Sequence, residues 1–135
     1  MWPFARKTRG DATAKLGRRG ETLARRHLRK MGLKLLARNY RCPVGEVDLI
    51  ALDCSTHGQP DCETLVFVEV KTRSSDRHVS PTSAVNADKQ QRIRKVARYY
   101  LSRRDAAKLA VRFDVISVVI HGEDKASVEH IADAF

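Results

Sequence analysis

Several absences narrow this sequence before any motif is read. No run approaches the roughly 18 consecutive apolar residues that cross a bilayer, and the apolar stretch within Met1–Gly10 is too short for a secretion signal. The three cysteines, Cys42, Cys54 and Cys62, are odd in number and lack the paired spacing of a zinc site or a redox motif, so they read as reduced thiols. These features predict a soluble, cytoplasmic protein without a membrane role. Aromatic residues make up only 6% of the chain, and no aromatic platform for base stacking is evident. Tyr99, Tyr100 and Phe67 are therefore expected in the core. There is no internal repeat and no low-complexity tract.

Acidic residues are almost missing from the first third. Met1–Arg41 holds 13 basic and 2 acidic residues, a net +11, whereas the remainder nets −1 out of the total of +10. A one-sided basic field attracts polyanions, and nucleic acid is the commonest of these, ahead of an anionic membrane. Ribosomal and chaperone-like proteins share this signature, so charge indicates a class of partner and no chemistry.

At 135 residues the chain fits one domain. Residues 1–13 lack an apolar period and read as a flexible basic arm, with an ordered domain over 14–135. Leu16, Leu23, Ala24, Leu28 and Met31 recur at helical spacing and Gly32 marks the stop. Leu33–Arg41 and Gly45–Asp53 read as a hairpin around Pro43, and Thr64–Thr72 is the strongest strand signal. Ser80 and Pro81 form a plausible cap for a helix reaching about Arg103, followed by a strand over Ala110–Ile120 and a short edge strand over Ser127–Ile131. This order specifies an α/β domain with a mixed sheet covered by helices.

Within these elements some charges sit where apolar residues belong. Glu69 and Lys71 are two apart on a strand, so both leave one face, roughly 6 to 7 Å apart. Both faces of that strand read as buried, and a buried carboxylate and ammonium need partners or a metal. The bland alternative is a mutual salt bridge at the sheet end. Asp48 is a second acid in apolar surroundings, among Val47, Leu49, Ile50, Ala51 and Leu52. Two carboxylates from adjacent strands offer the hard oxygen ligands that Mg²⁺ or Mn²⁺ prefers. Glu46 shares the face of Asp48 but lies near the turn and reads as solvated. Glu21 lies on the small inward face of the first helix between Gly17 and Ala24; its alternative is an intrahelical pair with Arg18 or Arg25. Gly17 and Gly20, unfavourable in a helix, imply something packed closely there.

The runs Gly17-Arg-Arg-Gly-Glu21, Asn39-Tyr-Arg41, Gly45-Glu-Val-Asp-Leu-Ile50, Val66-Phe-Val-Glu-Val-Lys-Thr-Arg73 and Arg112-Phe-Asp-Val115 resemble the YraN family of bacterial proteins, over roughly Ala14–Ile120. That family is similar to archaeal Holliday-junction resolvases within the PD-(D/E)XK nuclease superfamily. The resemblance implies a restriction-endonuclease-like domain in which Asp48 matches the first acid, Glu69 and Lys71 the E-x-K pair, and Glu21 the helical acid of the resolvase-like branch. It implies an Mg²⁺- or Mn²⁺-dependent endonuclease acting on DNA, with Asp48, Glu69, the Val70 carbonyl and Glu21 around the metal and Lys71 beside it. Arg18, Arg19, Arg41, Arg73, Lys89, Gln90 and Arg92 are candidates for nucleic-acid contact, Lys89 having a snorkelling lysine as its alternative. Arg112 and Asp114 read as a structural ion pair, and His27 and His78 as surface residues. The resolvase likeness admits a homodimer, which no pattern in the sequence fixes. Two other readings compete: a nucleic-acid-binding module with an inactive site, and an assembly factor using its basic face on acidic partners.

Overall fold

The first helix, α1 (Arg9–Lys30), opens the computed structural model, which describes residues 9–54, 63–75, 85–104 and 109–135. It begins five residues before the Ala14 expected as the start of order, so the end of the predicted arm is helical. Ala24 and Leu28 are fully buried on its inner stripe. It stops as its sequence predicts: Gly32 takes φ +87°, the Leu33 amide donates to Leu28 O at 2.9 Å and the Gly32 amide to Arg29 O at 3.0 Å. Those two bonds form a Schellman cap, which a side chain with Cβ at Gly32 would strain.

Strands β1 (Lys34–Cys42) and β2 (Gly45–Asp53) form the expected hairpin across Pro43 and Val44, followed by β3 (Thr64–Ser74). Helix α2 (Ala87–Ser102) crosses to β4 (Ala110–His121), which lies parallel to β3, and β5 (Lys125–Ile131) returns antiparallel. The five strands run in sequence order in one mixed sheet. The α2 boundary corrects the sequence reading. Ser80 and Pro81 lie outside the described residues, and Val85 and Asn86 are not helical. Asn86 is the cap instead, its Oδ1 accepting from the Lys89 amide at 2.9 Å. Asn caps as well as Ser, and periodicity alone could not choose between the two.

Each face of the sheet is covered by one helix. Val66 and Val68 of β3, with Ile116, Val118 and Ile120 of β4, pack with Ala24 and Leu28 of α1. Leu65 and Phe67 pack with Ile93, Val96, Ala97 and Tyr100 of α2. Burial of alternate residues on both sides of β3 is why it reads as a continuous apolar run. The fold is thus α/β, a five-stranded mixed sheet between two helices, as in restriction endonucleases. Among the described residues no helix is long and apolar enough to cross a membrane.

The Arg112–Asp114 pair is present and belongs to a longer chain of polar contacts. Arg112 Nε donates to Asp114 Oδ1 at 2.9 Å and Nη1 to Asp53 Oδ2 at 3.0 Å. His130 Nε2 meets Asp114 Oδ2 at 2.7 Å, and its Nδ1 lies 3.1 Å from His27 Nε2. His27 is therefore a half-buried member of this chain rather than a surface residue, because α1 presses it against β5. His78 and Cys62 lie outside the described residues.

Candidate active site

The β2–β3 ladder runs from Asp53↔Thr64 to Leu49↔Val68, and the registered pairing stops there. Alternation breaks at the same place: Leu49 and Ala51 pack on the α1 side, yet Val47 packs on the α2 side. Between them, Asp48 supplies what the ladder no longer does, its Oδ2 accepting from the Val70 amide at 2.8 Å. The parting strands open a cavity of about 330 Å³, lined by Glu21, Asp48, Glu69, Val70, Lys71 and Lys89, together with Thr13, Leu16, Gly17 and Thr72.

Glu69 is the buried centre of this cavity, 5% exposed. The Lys89 ammonium, reaching from α2, sits directly on Glu69 Oε1, and Lys71 Nζ lies 3.9 Å from the same oxygen. The salt bridge weighed for Glu69 and Lys71 therefore exists, but Lys89 is the closer partner. Burial pushes the Asp48 carboxyl up to about 6, helped by the neighbouring Glu69 charge and opposed by the Val70 amide and Lys89. Lys71 moves down through burial and the adjacent Lys89, against the pull of both acids. For Lys89, burial is outweighed by its contact with Glu69, so its proton is held more tightly.

Glu21 faces the same cavity from α1, paired with neither Arg18 nor Arg25; Asn39 Nδ2 of β1 donates to its Oε1 at 3.0 Å. Asn39 has the left-handed φ of +49°. Its role was not read from sequence, although it begins one of the motif runs. The tight packing expected at both α1 glycines is found at Gly20, where an added Cβ would lie 2.6 Å from Thr72 Cβ, and not at Gly17, where among the described residues an added Cβ would meet no atom within 4 Å.

Among the described residues no three His, Cys, Asp or Glu side chains close in as a ready-made ligand set. Asp48 and Glu69 are nonetheless two carboxylates near enough to raise the Asp48 proton affinity, and Mg²⁺ is ordinarily held by one or two carboxylates plus waters. The donor set fits such an ion, and Glu21 lines the same cavity from α1.

Arg41, Arg92 and Lys89 come together in a groove of about 650 Å³ next to this cavity, between the β1–β2 turn and α2. Glu46 is exposed, as read, and pairs with Arg41 at 3.3 Å. Arg18 is exposed on α1, and Arg19 donates to the carbonyls of Gly122 and Glu123 at the β4–β5 turn. Gln90 Nε2 donates to Val85 O at 3.1 Å. Arg73 is half-buried, its Nε without a hydrogen-bond partner among the described residues.

The restriction-endonuclease-like sheet defines the class of this protein by fold, and an acid, a Glu-x-Lys pair and a helical acid line one cavity beside it. The chain belongs to Uncharacterised protein family UPF0102, the YraN family, whose profile it matches over residues 20–118. It is 47% identical over 120 residues to a UPF0102 protein of Syntrophotalea carbinolica, covering 89% of this chain and 90% of that one. It is 41% identical over 126 residues to one of Nocardia farcinica, covering 93% and 92%. A third, from Chlorobium chlorochromatii, is 43% identical over 130 residues, covering 93% and 94%.

Proposed function

We propose that this protein is a cytoplasmic, Mg²⁺- or Mn²⁺-dependent endonuclease that hydrolyses phosphodiester bonds of DNA, branched or otherwise structured DNA included. The observation that carries this reading is the placing of Asp48 and Glu69 together in a partly closed cavity beside a basic groove. A protein that only binds phosphate gains nothing from negative charge buried at the end of its groove. A divalent cation repays that burial, and when bound it supplies Lewis-acid activation of water and of the phosphate.

Asp48 and Glu69 would hold the ion, and the carbonyl of Val70, a residue that lines the cavity, would be a further ligand. Lys71 stands next to these acids with a weakened hold on its proton, suited to orienting the attacking water and to stabilising negative charge on phosphorus oxygens. Glu21, which lines the same cavity from α1, would orient water there. In the reaction the water oxygen bonds to phosphorus and loses a proton to solvent, the bridging P–O bond breaks with its electron pair going to the leaving oxygen, and that oxygen takes a proton from solvent. Arg41 and Arg92 bind the flanking backbone. Cutting a four-way junction requires two such cavities, so junction cleavage would go with a homodimer.

The test is cleavage of labelled linear, single-stranded, flap and four-way-junction DNA with Mg²⁺ or Mn²⁺. Asp48→Ala and Lys71→Ala should each lower the rate by at least about 100-fold, the scale of losing one pre-organised charge contact. Binding without cleavage on every substrate would instead favour a nucleic-acid-binding module or assembly factor. Full activity in both variants would show the site to be elsewhere.

A further inference from the structure

Lys89 belongs to two cavities at once, lining both the acidic pocket and the groove that holds Arg41 and Arg92. Its ammonium rests on Glu69 Oε1, yet its side chain remains 37% exposed on a flexible four-carbon stem. Lys71, by contrast, lines the pocket and not the groove, and lies 3.9 Å from the same oxygen. Among the described residues the one carboxylate lining the groove, Glu46, is exposed and occupied by Arg41.

A divalent ion and an ammonium repel each other strongly at one carboxylate oxygen in a partly desolvated site. If Glu69 ligates an ion, Lys89 has to leave, and the anion within its reach is then a phosphate in the groove. Resting on the nuclease reading of this pocket, we infer that Lys89 is a positioning residue that couples divalent-cation binding at Asp48 and Glu69 to DNA-phosphate binding in the adjoining groove. Without the ion, Lys89 neutralises Glu69. With it, Lys89 is released to the DNA backbone. The linkage is reciprocal: a backbone phosphate that draws Lys89 away exposes Glu69 to the ion, so each ligand tightens the other.

Two binding measurements on the full chain test this without turnover. Ca²⁺ binding is followed by calorimetry in the absence of DNA. Binding of a fluorescein-labelled flap duplex is followed by anisotropy with and without Ca²⁺ at fixed ionic strength. In wild type, Ca²⁺ should tighten DNA binding about tenfold, a usual size for coupled sites. Lys89→Gln removes the competitor, so it should bind Ca²⁺ several-fold more tightly without DNA, while the Ca²⁺ effect on DNA affinity falls to near one. Lys89→Arg, which keeps the charge, should retain much of that effect. A Lys89→Gln protein with unimproved Ca²⁺ affinity, or with the full Ca²⁺ effect on DNA, overturns the coupling and leaves the nuclease reading standing. Loss of the effect in Lys89→Arg equal to that in Lys89→Gln also overturns it, since charge would not be the agent. A wild-type protein that binds neither Ca²⁺ nor DNA overturns both.

Discussion

Asp48 is gripped by the Val70 amide at 2.8 Å and crowded by the Glu69 carboxylate, and these contacts set its effect on stability as well as on chemistry. Its proton affinity in the fold, near 6, lies above the 3.8 of a free aspartate. Below the lower value the group is neutral in both folded and unfolded chains and costs nothing. As pH rises through this interval the unfolded chain ionises first, so stability falls, and the deficit is complete above the folded value. Asp48→Asn keeps an oxygen for Val70 and lacks the charge. It should therefore be more stable than wild type at pH 8, on the order of 1–3 kcal/mol, with the difference vanishing at about pH 3, below the free value. Urea unfolding at both pH values checks this, and adding Mg²⁺ should narrow the gap by stabilising wild type alone. Gly20 carries the opposite kind of constraint. Exchanging a helical glycine for alanine ordinarily gains about 1 kcal/mol, but here the new methyl would lie 2.6 Å from Thr72 Cβ. Thr72 is fixed in β3 by its pairing with Val118 and cannot retreat. Overpacking of this sort costs about 1–3 kcal/mol, so Gly20→Ala should lower the denaturation midpoint and widen the mouth of the cavity.

Elements are tied together by the polar chain from His27 in α1 through His130 in β5 and Asp114 in β4 to Asp53 in β2. Burial alone would raise the Asp114 proton affinity, but hydrogen bonds from His130, Arg112 and the Asp133 amide outweigh it and the net shift is downward. Its contribution to stability is thus present above the ordinary aspartate value and lost as pH falls through the folded one. His27 is also shifted down, by burial and then by His130 and Lys30, so its contribution is present above 6.5 and declines as pH falls below it. His27→Gln should flatten the stability profile between pH 7 and pH 5. Asp114→Ala, which leaves Arg112 with Asp53 alone and takes the carboxylate from His130, should cost about 3 kcal/mol, the lower end for a broken buried ion pair. Thermal unfolding across that pH range tests both. This chain of contacts also marks where sequence reading stops. The hairpin, β3 and the buried acids were legible because a two-residue period makes a charge at Asp48 or Glu69 stand out against its apolar neighbours. The α2 start was not, because Asn and Ser are equally good caps, and the hydrogen bond from the Lys89 amide to Asn86 that marks the start is not written in the periodicity. His27–His130 contact is 103 residues long-range and no local pattern announces it. Lys89 was legible as a basic residue on an apolar stripe; that it rests on Glu69 depends on how α2 lies across the sheet, which periodicity does not fix.

The net charge of +10 belongs to the whole molecule, but two ways of using it predict different behaviour with salt. If the N-terminal excess acts as a diffuse field, any pair of arginines contributes alike. If DNA phosphates enter the groove, contacts with Arg41 and Arg92 release counterions one for one and distant arginines do not. The groove pair is suited to this, since Arg41 gives up only an exposed ion pair with Glu46, a type worth at most about 1 kcal/mol. Arg26 and Arg29 are the proper comparison. Both are exposed on α1, five and eight residues past Glu21, so Arg29 is about 12 Å further along the helix axis and away from the cavity. The double variant Arg41→Gln/Arg92→Gln should lower the slope of log affinity against log salt concentration by about 2, near 0.9 for each lost phosphate contact. Arg26→Gln/Arg29→Gln should leave both the affinity and the slope almost unchanged. Equal slopes for the two variants would mean that the charge acts as a field and that the groove does not hold the backbone. A difference confined to the groove pair would place the nucleic acid beside Lys89, where its phosphates can meet the acidic cavity.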